Sequence, residues 1–128
     1  MKWPALRGKA VVIEFWAAWC APCVAQIPRW NRLVEKFKDR PIQFIAVTND
    51  EEDLGAFLKR WPVSGWIALD PEGETLKAYG VEAIPRTVLV DSKGIVRGVT
   101  SLANLADSDI EGLLGGRELK IAAQPGGG

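Results

Sequence analysis

The only two thiols of this 128-residue chain, Cys20 and Cys23, stand three positions apart in the stretch F-W-A-A-W-C-A-P-C. Thiols at this spacing can form a reversible disulfide or supply half of a zinc site. Zinc is held by four ligands and the chain has no histidine, so the missing ligands would have to be carboxylates or come from a second chain. A purely structural disulfide is the other alternative, although closing so short a loop stabilises a fold only modestly. The pair therefore favours redox chemistry without a metal.

A predicted strand leads to the cysteines and a predicted helix leads away from them. The run from Ala10 to Trp16 is β-branched and aromatic, which is typical of a buried strand. A helix is predicted from Pro22, whose missing N–H costs nothing in the first turn, to Arg40, where the following proline ends it. Pro28, inside this helix, is expected to kink it. One face of the helix carries an apolar stripe made of Cys23, Ile27, Trp30, Val34 and Phe37.

The position of the cysteines at the start of this helix favours the reactive form of a thiol. A helix N-terminus has unpaired N–H groups and partial positive charge, both of which stabilise a thiolate. The thiolate is the species that attacks a disulfide. Cys20 is predicted to be the exposed attacking thiol, and Cys23, one turn further in, the thiol that resolves the mixed disulfide. Ala21 and Pro22 lie between them and are expected to contact the substrate, with Pro22 stiffening the connection.

The remainder of the chain alternates strands and helices and ends in a hairpin and a last helix. Strands are predicted at 42–48, 66–69, 87–91 and 95–100, and helices from a cap at Asn49 or Asp50 to about Arg60, at 74–79 and at 108–114. The first of these helices is expected to face the core with four apolar residues: Leu54, Phe57, Leu58 and Trp61. The order implies an α/β fold in which the first β-α-β unit is parallel and the final hairpin antiparallel. We expect one domain, residues 1–121, and a disordered tail or linker at 122–128.

Composition and charge exclude several classes of partner. Sixteen basic residues balance sixteen acidic ones, so no long-range field attracts nucleic acid or an anionic membrane, and neither is expected as a partner. The most apolar run, residues 10–25, is shorter than a membrane span and contains Glu14 and Pro22. Because histidine is absent, Ser-His and Cys-His catalytic pairs are excluded.

These motifs resemble the thioredoxin superfamily over about residues 8–115. The stretch around the cysteines is similar to the family signature F-W-A-x-W-C-x-P-C, and Pro28 matches the proline that kinks the family's active-site helix. Y-G-V-E-A-I-P, residues 79–85, resembles the stretch that leads to the family's cis-proline, and V-L-V-D-S-K-G-I-V, residues 88–96, resembles the hairpin that follows. The resemblance implies a thioredoxin fold, with a central mixed β-sheet flanked by helices.

Within the superfamily, the chain is most similar to the TlpA/ResA-like branch of thiol–disulfide oxidoreductases. The segment A-L-D-P-E-G-E-T-L-K-A-Y-G-V, residues 68–81, resembles that branch and implies an extra helix and strand before the cis-proline. L-R-G-K, residues 6–9, resembles the turn that closes the branch's N-terminal hairpin, so we expect an excised or processed domain without that hairpin or a membrane anchor. Two positions depart from the branch: Gln26 stands where Glu is common, and Arg86 stands where Thr is common.

The resemblance also implies roles for residues near the thiols. Glu14, inside the apolar strand, matches a buried acid that relays a proton to the second cysteine, and burial would raise its pKa. The alternative for Glu14 is a strand-edge acid that faces solvent. Pro85 is expected to follow a cis peptide bond, and Ile84 to offer its backbone to an extended substrate segment. A trans proline in a turn is the alternative for Pro85.

Two further side chains are candidates for contact with a substrate. Trp19 is expected to flank the reactive sulfur on an apolar docking surface, and a place in the core is the alternative. Arg86 could stabilise the Cys20 thiolate or attract an acidic substrate, but a solvated surface arginine is favoured. Trp16 and Trp30 are expected to pack rather than bind.

The expected function is disulfide exchange with protein disulfides or dithiols, mainly as a reductant. Electrons would come from an upstream redox protein, with no cofactor or metal. The chain is expected to act as a monomer outside the cytoplasm, in the periplasm or cell envelope, and the cytoplasm is the alternative. One rival is a non-catalytic binding module of the same fold. The other is a peroxiredoxin-type peroxidase. Its P-x-x-x-[ST]-x-x-C pattern is disfavoured, because neither the Pro nor the Ser/Thr is present at the matching positions before Cys20.

Overall fold

A five-stranded mixed sheet forms the centre of the computed structural model, which describes residues 8–49, 52, 54–117 and 119. The strands are β1 (Ala10–Phe15), β2 (Ile42–Thr48), β3 (Trp66–Leu69), β4 (Arg86–Val90) and β5 (Val96–Thr100). Their order across the sheet is β3-β2-β1-β4-β5. β1 runs parallel to β2, and β4 runs antiparallel to both β1 and β5. The predicted parallel first unit and antiparallel hairpin are thereby confirmed. The predicted tail at 122–128 and the domain end at 121 lie outside the described residues.

Five α-helices and one short 3₁₀ turn surround the sheet in the described part of the chain. The helices are α1 (Ala21–Ala25), α2 (Ile27–Lys36), α3 (Leu54–Arg60), α4 (Glu74–Ala78) and α5 (Asp107–Leu114), and the 3₁₀ turn is Leu102–Asn104. The helix and strand expected before the proline at position 85 are present as α4 and β3. None of the described helices is long and apolar enough to span a bilayer.

The helix after β2 ends at Arg60 as expected, but it begins later than the sequence predicts, and its last inward residue is wrong. Asn49 lies in the bend that follows β2, five residues before α3 begins, and Asp50 is outside the described residues. Trp61 was expected to face inward, which is wrong, because 48% of it is exposed. The helix ends at Arg60, so although the N–H of Trp61 still donates to the carbonyl oxygen of Phe57 at 2.7 Å, no following helical turn covers the Trp61 side chain. The guanidinium of Arg60 lies 5.8 Å from the centre of the Trp61 ring.

The expected kink at Pro28 is an interruption that divides the helix into α1 and α2. Pro28 is the second residue of α2, where its ring nitrogen has no hydrogen to donate to the preceding turn. Gln26 connects the two helices, and its N–H donates to the carbonyl oxygens of Cys23 and Val24. Because of this break, α1 is only five residues long. Cys23 therefore lies about one turn before the start of α2.

Strand β1 is covered on both faces, and all six of its residues are buried. Val12 belongs to an apolar cluster shared with α2, α3 and α5. Ile13, on the other face, belongs to a second cluster that packs against Leu76 and Tyr79 around α4. A central strand between two such layers has no solvent-facing side. A carboxyl group on β1 is therefore forced into the interior, as it is at Glu14.

Arg29 ties α2 to the 3₁₀ turn that precedes α5. Its Nε donates to the carbonyl oxygen of Leu102 at 2.7 Å, and a terminal nitrogen donates to the carbonyl oxygen of Leu105. Arg32, on the same helix, makes an exposed ion pair of 3.4 Å with Asp107. Both arginines therefore connect α2 to the segment around the start of α5, Arg29 through half-buried carbonyl groups and Arg32 through an exposed carboxylate.

We expect Arg29→Met to lower the free energy of unfolding by about 2 kcal/mol, because hydrogen bonds from a charged group to half-buried carbonyls are lost. Arg32→Met is the matched control and should cost less than about 1 kcal/mol, as exposed ion pairs do. Urea unfolding of the oxidised protein measures both. Equal losses in the two variants would show that the carbonyl contacts of Arg29 add nothing beyond a surface charge.

Candidate active site

Cys20 and Cys23 form a disulfide at the start of α1, with their Cα atoms 5.2 Å apart. Cys20 is the N-cap residue of that helix, and its Sγ accepts a hydrogen bond of 3.3 Å from the N–H of Cys23. An N–H group in this position can also donate to a thiolate, the form of a cysteine that attacks a disulfide. The local geometry thus favours Cys20 as the attacking sulfur.

Both cysteines are buried in the disulfide form, but they border different spaces. Cys20 was expected to be exposed, which is wrong, because it is 7% exposed and Cys23 is 3% exposed. The expectation fails because the capping side chain folds back over the first helical turn to meet the N–H of Cys23. Cys20 borders a large groove, and Cys23 borders a small space lined mostly by buried residues.

The large groove, called the outer groove below, has a volume of about 420 Å³. Trp19, Cys20, Glu82 and Ile84 are among the residues that line it. The indole of Trp19 is 71% exposed, so it is not a core residue. Ala21 and Pro22 are also exposed, in the first turn of α1. The structure therefore brings Trp19 and Ile84 together beside Cys20.

Pro85 and Arg86 follow the groove at the start of β4. The Ile84–Pro85 peptide bond is cis, which confirms the expected isomer. Arg86 is half-buried and lies opposite Phe15 in the sheet register. Its Nε is buried and has no hydrogen-bond partner among the described residues, so it is not the fully solvated surface arginine that was favoured. Its side chain does not line the outer groove.

The small space next to Cys23, called the inner cavity below, brings Glu14 and Cys23 together. Glu14 is 5% exposed, which rules out the alternative of a solvent-facing acid. Burial raises the pKa of Glu14 to about 8 from its ordinary value of 4.5, and a hydrogen bond from Thr87 Oγ1 partly opposes that rise. A carboxyl group with this pKa is close to the range in which it can take up and release protons at neutral pH.

Thr87 and Gln26 are site residues that the sequence analysis did not assign. Thr87 is fully buried on β4 and stands directly opposite Glu14 in the antiparallel register. In the sequence, Thr87 is recognisable only as a polar residue at the start of the apolar run T-V-L-V. Its hydrogen-bond partner, Glu14, is identified by the pairing of β4 with β1. Gln26 was noted only as a departure from a family pattern, and it lines the inner cavity.

Relatives and solved structures resemble this chain over most of its length. It is 37% identical over 92 residues to "Thiol-disulfide oxidoreductase ResA" of Bacillus thuringiensis subsp. konkukian, a match that covers 70% of this chain and 53% of the relative. The chain thus spans about half the length of the curated relatives it matches. A putative thiol:disulfide interchange protein DsbE from Chlorobium tepidum superposes with a TM-score of 0.70 at 33% identity, covering 84% of this chain and 77% of that one.

A second structure from Chlorobium tepidum, described as a thiol:disulfide interchange protein of the thioredoxin family, has a TM-score of 0.73 at 24% identity and covers 86% of this chain and 83% of its own. This likeness supports the fold alone, and with the mixed five-stranded sheet it confirms the predicted thioredoxin fold. The family model described as Redoxin matches residues 1–114, which is most of the sequence. On that match, and with the fold in agreement, the chain belongs to the Redoxin family.

Proposed function

We propose that this chain is a protein thiol–disulfide oxidoreductase whose reacting groups are Cys20 and Cys23. The observation that carries the proposal is the position of the disulfide between the outer groove, which Cys20 lines, and the inner cavity, which Cys23 lines together with the buried Glu14. One sulfur can thus meet a substrate while the other exchanges a proton with an acid. The names of the matched relatives, thiol–disulfide oxidoreductase and thiol:disulfide interchange protein, support the same chemistry.

In the reducing direction, the thiolate of Cys20 attacks one sulfur of a substrate disulfide. The substrate bond breaks, its other sulfur leaves as a thiolate, and a mixed disulfide forms on Cys20. Glu14, in its ionised form, then takes the proton of the Cys23 thiol. The Cys23 sulfur attacks Cys20, the chain's disulfide closes, and the second substrate thiolate leaves. The same steps in reverse oxidise a dithiol.

The substrates are inferred to be proteins, because a groove of about 420 Å³ lies next to Cys20 and has room for part of a polypeptide segment. Trp19 and Ile84 are among the residues that line it. Ile84 can offer its backbone N–H and carbonyl to such a segment, in the manner of an added strand. An upstream redox protein would return electrons to the disulfide. We also propose that the protein acts outside the cytoplasm and that it is a monomer. Its main role is proposed to be that of a reductant.

Trp19 is proposed to supply apolar contact area for the protein substrate. We expect Trp19→Ala to raise KM for a protein disulfide about tenfold, as loss of an exposed aromatic anchor commonly does. Reduction of a small aromatic disulfide, which does not reach across the groove, should change less than about twofold. Trp66→Ala, which removes an exposed tryptophan on β3, is the matched control. Equal effects of the two substitutions on KM would contradict a docking role for Trp19.

The direction of electron flow is tested by the reduction potential of the Cys20–Cys23 couple. Equilibration with glutathione or dithiothreitol buffers gives that potential. A value near about −270 mV, as for thioredoxin, supports a reductant, and a value near about −120 mV identifies an oxidant. A couple that does not equilibrate with either buffer would contradict redox activity and favour a non-catalytic binding module.

A further inference from the structure

Two buried polar atoms beside the thiols lack a hydrogen-bond partner among the described residues. They are Nε1 of Trp16 and Oε1 of Gln26. Trp16 is 4% exposed, so bulk solvent does not reach its N–H. Buried polar groups are almost always hydrogen-bonded, and those without a protein partner commonly bond to an internal water molecule.

Both side chains line the inner cavity, together with Glu14 and Cys23. The volume open to the centre of a water molecule is about 10 Å³, and a single buried water needs roughly 10–15 Å³ by that measure. Trp30 also lines the cavity, but its Nε1 already donates to the carbonyl oxygen of Ser64 at 2.9 Å. The remaining lining is apolar and consists of Ile27, Ala46, Val63 and Leu102. The cavity therefore suits one water molecule with polar partners on four side chains.

We propose that Gln26 is a positioning residue which, with Trp16, holds one water molecule between Glu14 and Cys23, and that this water carries the proton between them. The inference rests on the proposed function, because it concerns the proton transfer of the resolving step. A water molecule donates two hydrogen bonds and accepts two. Here it accepts from the N–H of Trp16 and the S–H of Cys23, and it donates to Gln26 Oε1 and to the Glu14 carboxylate.

The amide of Gln26 sets the orientation of this water. Because Gln26 Oε1 accepts one hydrogen, the other hydrogen is directed at the Glu14 carboxylate. A glutamine suits this place, since it accepts a hydrogen bond without adding a second titrating acid beside Glu14. Trp16, held in the core against Phe57 with ring centres 5.7 Å apart, donates from a fixed position.

The proton transfer balances with the disulfide exchange. The thiol proton of Cys23 passes to the water as the water gives one of its own protons to the Glu14 carboxylate. The Cys23 sulfur then forms a bond to Cys20 Sγ, and the bond from Cys20 to the substrate breaks. The substrate sulfur leaves as a thiolate with the electron pair of the broken bond. In the oxidising direction each transfer is reversed.

The test is the pKa of Glu14 in the oxidised protein, followed by carbon NMR of its carboxyl group. With the disulfide closed, neither cysteine titrates, and Glu14 is then the one titratable side chain among the described residues that line the cavity. Thr87, which faces Glu14 from β4, does not titrate in this range. We expect Gln26→Leu to raise the pKa of Glu14 by about one unit, because the carboxylate loses a hydrogen-bond donor. Gln43→Leu, at a half-buried glutamine bonded to Phe44 O, should leave that pKa unchanged.

The pH profile of the resolving step provides a second readout. In Gln26→Leu the rise in rate with pH should move to higher pH by the same amount as the pKa of Glu14. Trp16→Phe is a second variant on a different element and should shift both quantities in the same direction. A high-resolution crystal structure should show a water within about 3.2 Å of the Glu14 carboxyl group, Gln26 and Trp16 Nε1.

An unchanged pKa of Glu14 in Gln26→Leu, or the absence of that water from the crystal structure, overturns the inference. The proposed function can stand or fall separately. If Glu14→Gln abolishes the pH profile while Gln26→Leu leaves it unchanged, the role of Gln26 is wrong and the oxidoreductase mechanism remains. If Cys20→Ser keeps full reductase activity, the mechanism itself is wrong.

Discussion

Cys20→Ser is expected to abolish disulfide reductase activity, with a loss of at least about a thousandfold, because a serine hydroxyl is not ionised at neutral pH and cannot form a disulfide. The fold should survive the change. The Cys20 side chain caps α1 by accepting from the N–H of Cys23, and serine is among the best residues at that position. Reduction of insulin by dithiothreitol, followed as turbidity, measures the activity.

Cys23→Ser is the matched variant, because it removes the other sulfur and leaves Cys20 free to attack. It should accumulate a mixed disulfide with the substrate, visible by mass spectrometry, since no internal thiol remains to resolve it. Cys20→Ser should trap no such species. If the two variants exchanged these behaviours, Cys23 would be the attacking sulfur, and the groove beside Cys20 would not be the substrate site.

Glu14→Gln is expected to slow the resolving step by about a hundredfold at pH 7, the lower end of what a general acid–base group contributes. Since the pKa of Glu14 lies at about 8, the ionised fraction and the rate should both rise from pH 7 to pH 9 in the unaltered chain. Glutamine does not titrate, so that rise should be lost. Stopped-flow measurement of mixed-disulfide decay gives the rate.

Glu82→Gln is the control for that experiment, because it removes an exposed carboxylate from the outer groove. It should change the rate of the resolving step less than about twofold, as no proton passes through it. A similar rate-versus-pH curve in Glu14→Gln and the unaltered chain would mean that the buried acid takes no part in the reaction.

The same substitution should also change how stability depends on pH. The folded chain keeps the Glu14 proton up to about pH 8, whereas the unfolded chain releases it near pH 4.5. Between these values the folded state binds more protons, so the free energy of unfolding falls as pH rises. The contribution is complete below about pH 4.5 and is lost as pH rises through about 8. Each unit of pKa shift corresponds to about 1.4 kcal/mol, which makes the total several kcal/mol.

Urea unfolding of the oxidised protein between pH 5 and 8.5 measures this dependence without interference from the thiols. Glu14→Gln should flatten the slope and leave the variant the more stable of the two at pH 8. Thr87 can keep its hydrogen bond to the new side chain, because the amide oxygen accepts as the carboxyl oxygen does. Equal slopes in both proteins would mean that Glu14 is not desolvated in solution.

Short sequence patterns were enough to predict most of the helices and strands and to identify the two cysteines as the reacting groups. Three patterns each determine the backbone conformation of a few residues: the apolar run before the cysteines, the proline inside the helix and the D-S-K-G turn. β1 ends at Phe15 and α1 begins at Ala21, each one residue from what those patterns indicate. The spacing of the cysteines determines by itself that they can close a disulfide.

The tertiary structure alone decided which distant side chains meet. Thr87 lies 73 positions from Glu14 in the chain and bonds to it only because β4 pairs antiparallel with β1 in one register. The buried position of Cys20 and the placement of Gln26 beside Glu14 depend on how the broken helix seats against the sheet. Sequence patterns describe neighbours along the chain, whereas burial, cavities and the pKa of an interior acid arise from neighbours in space.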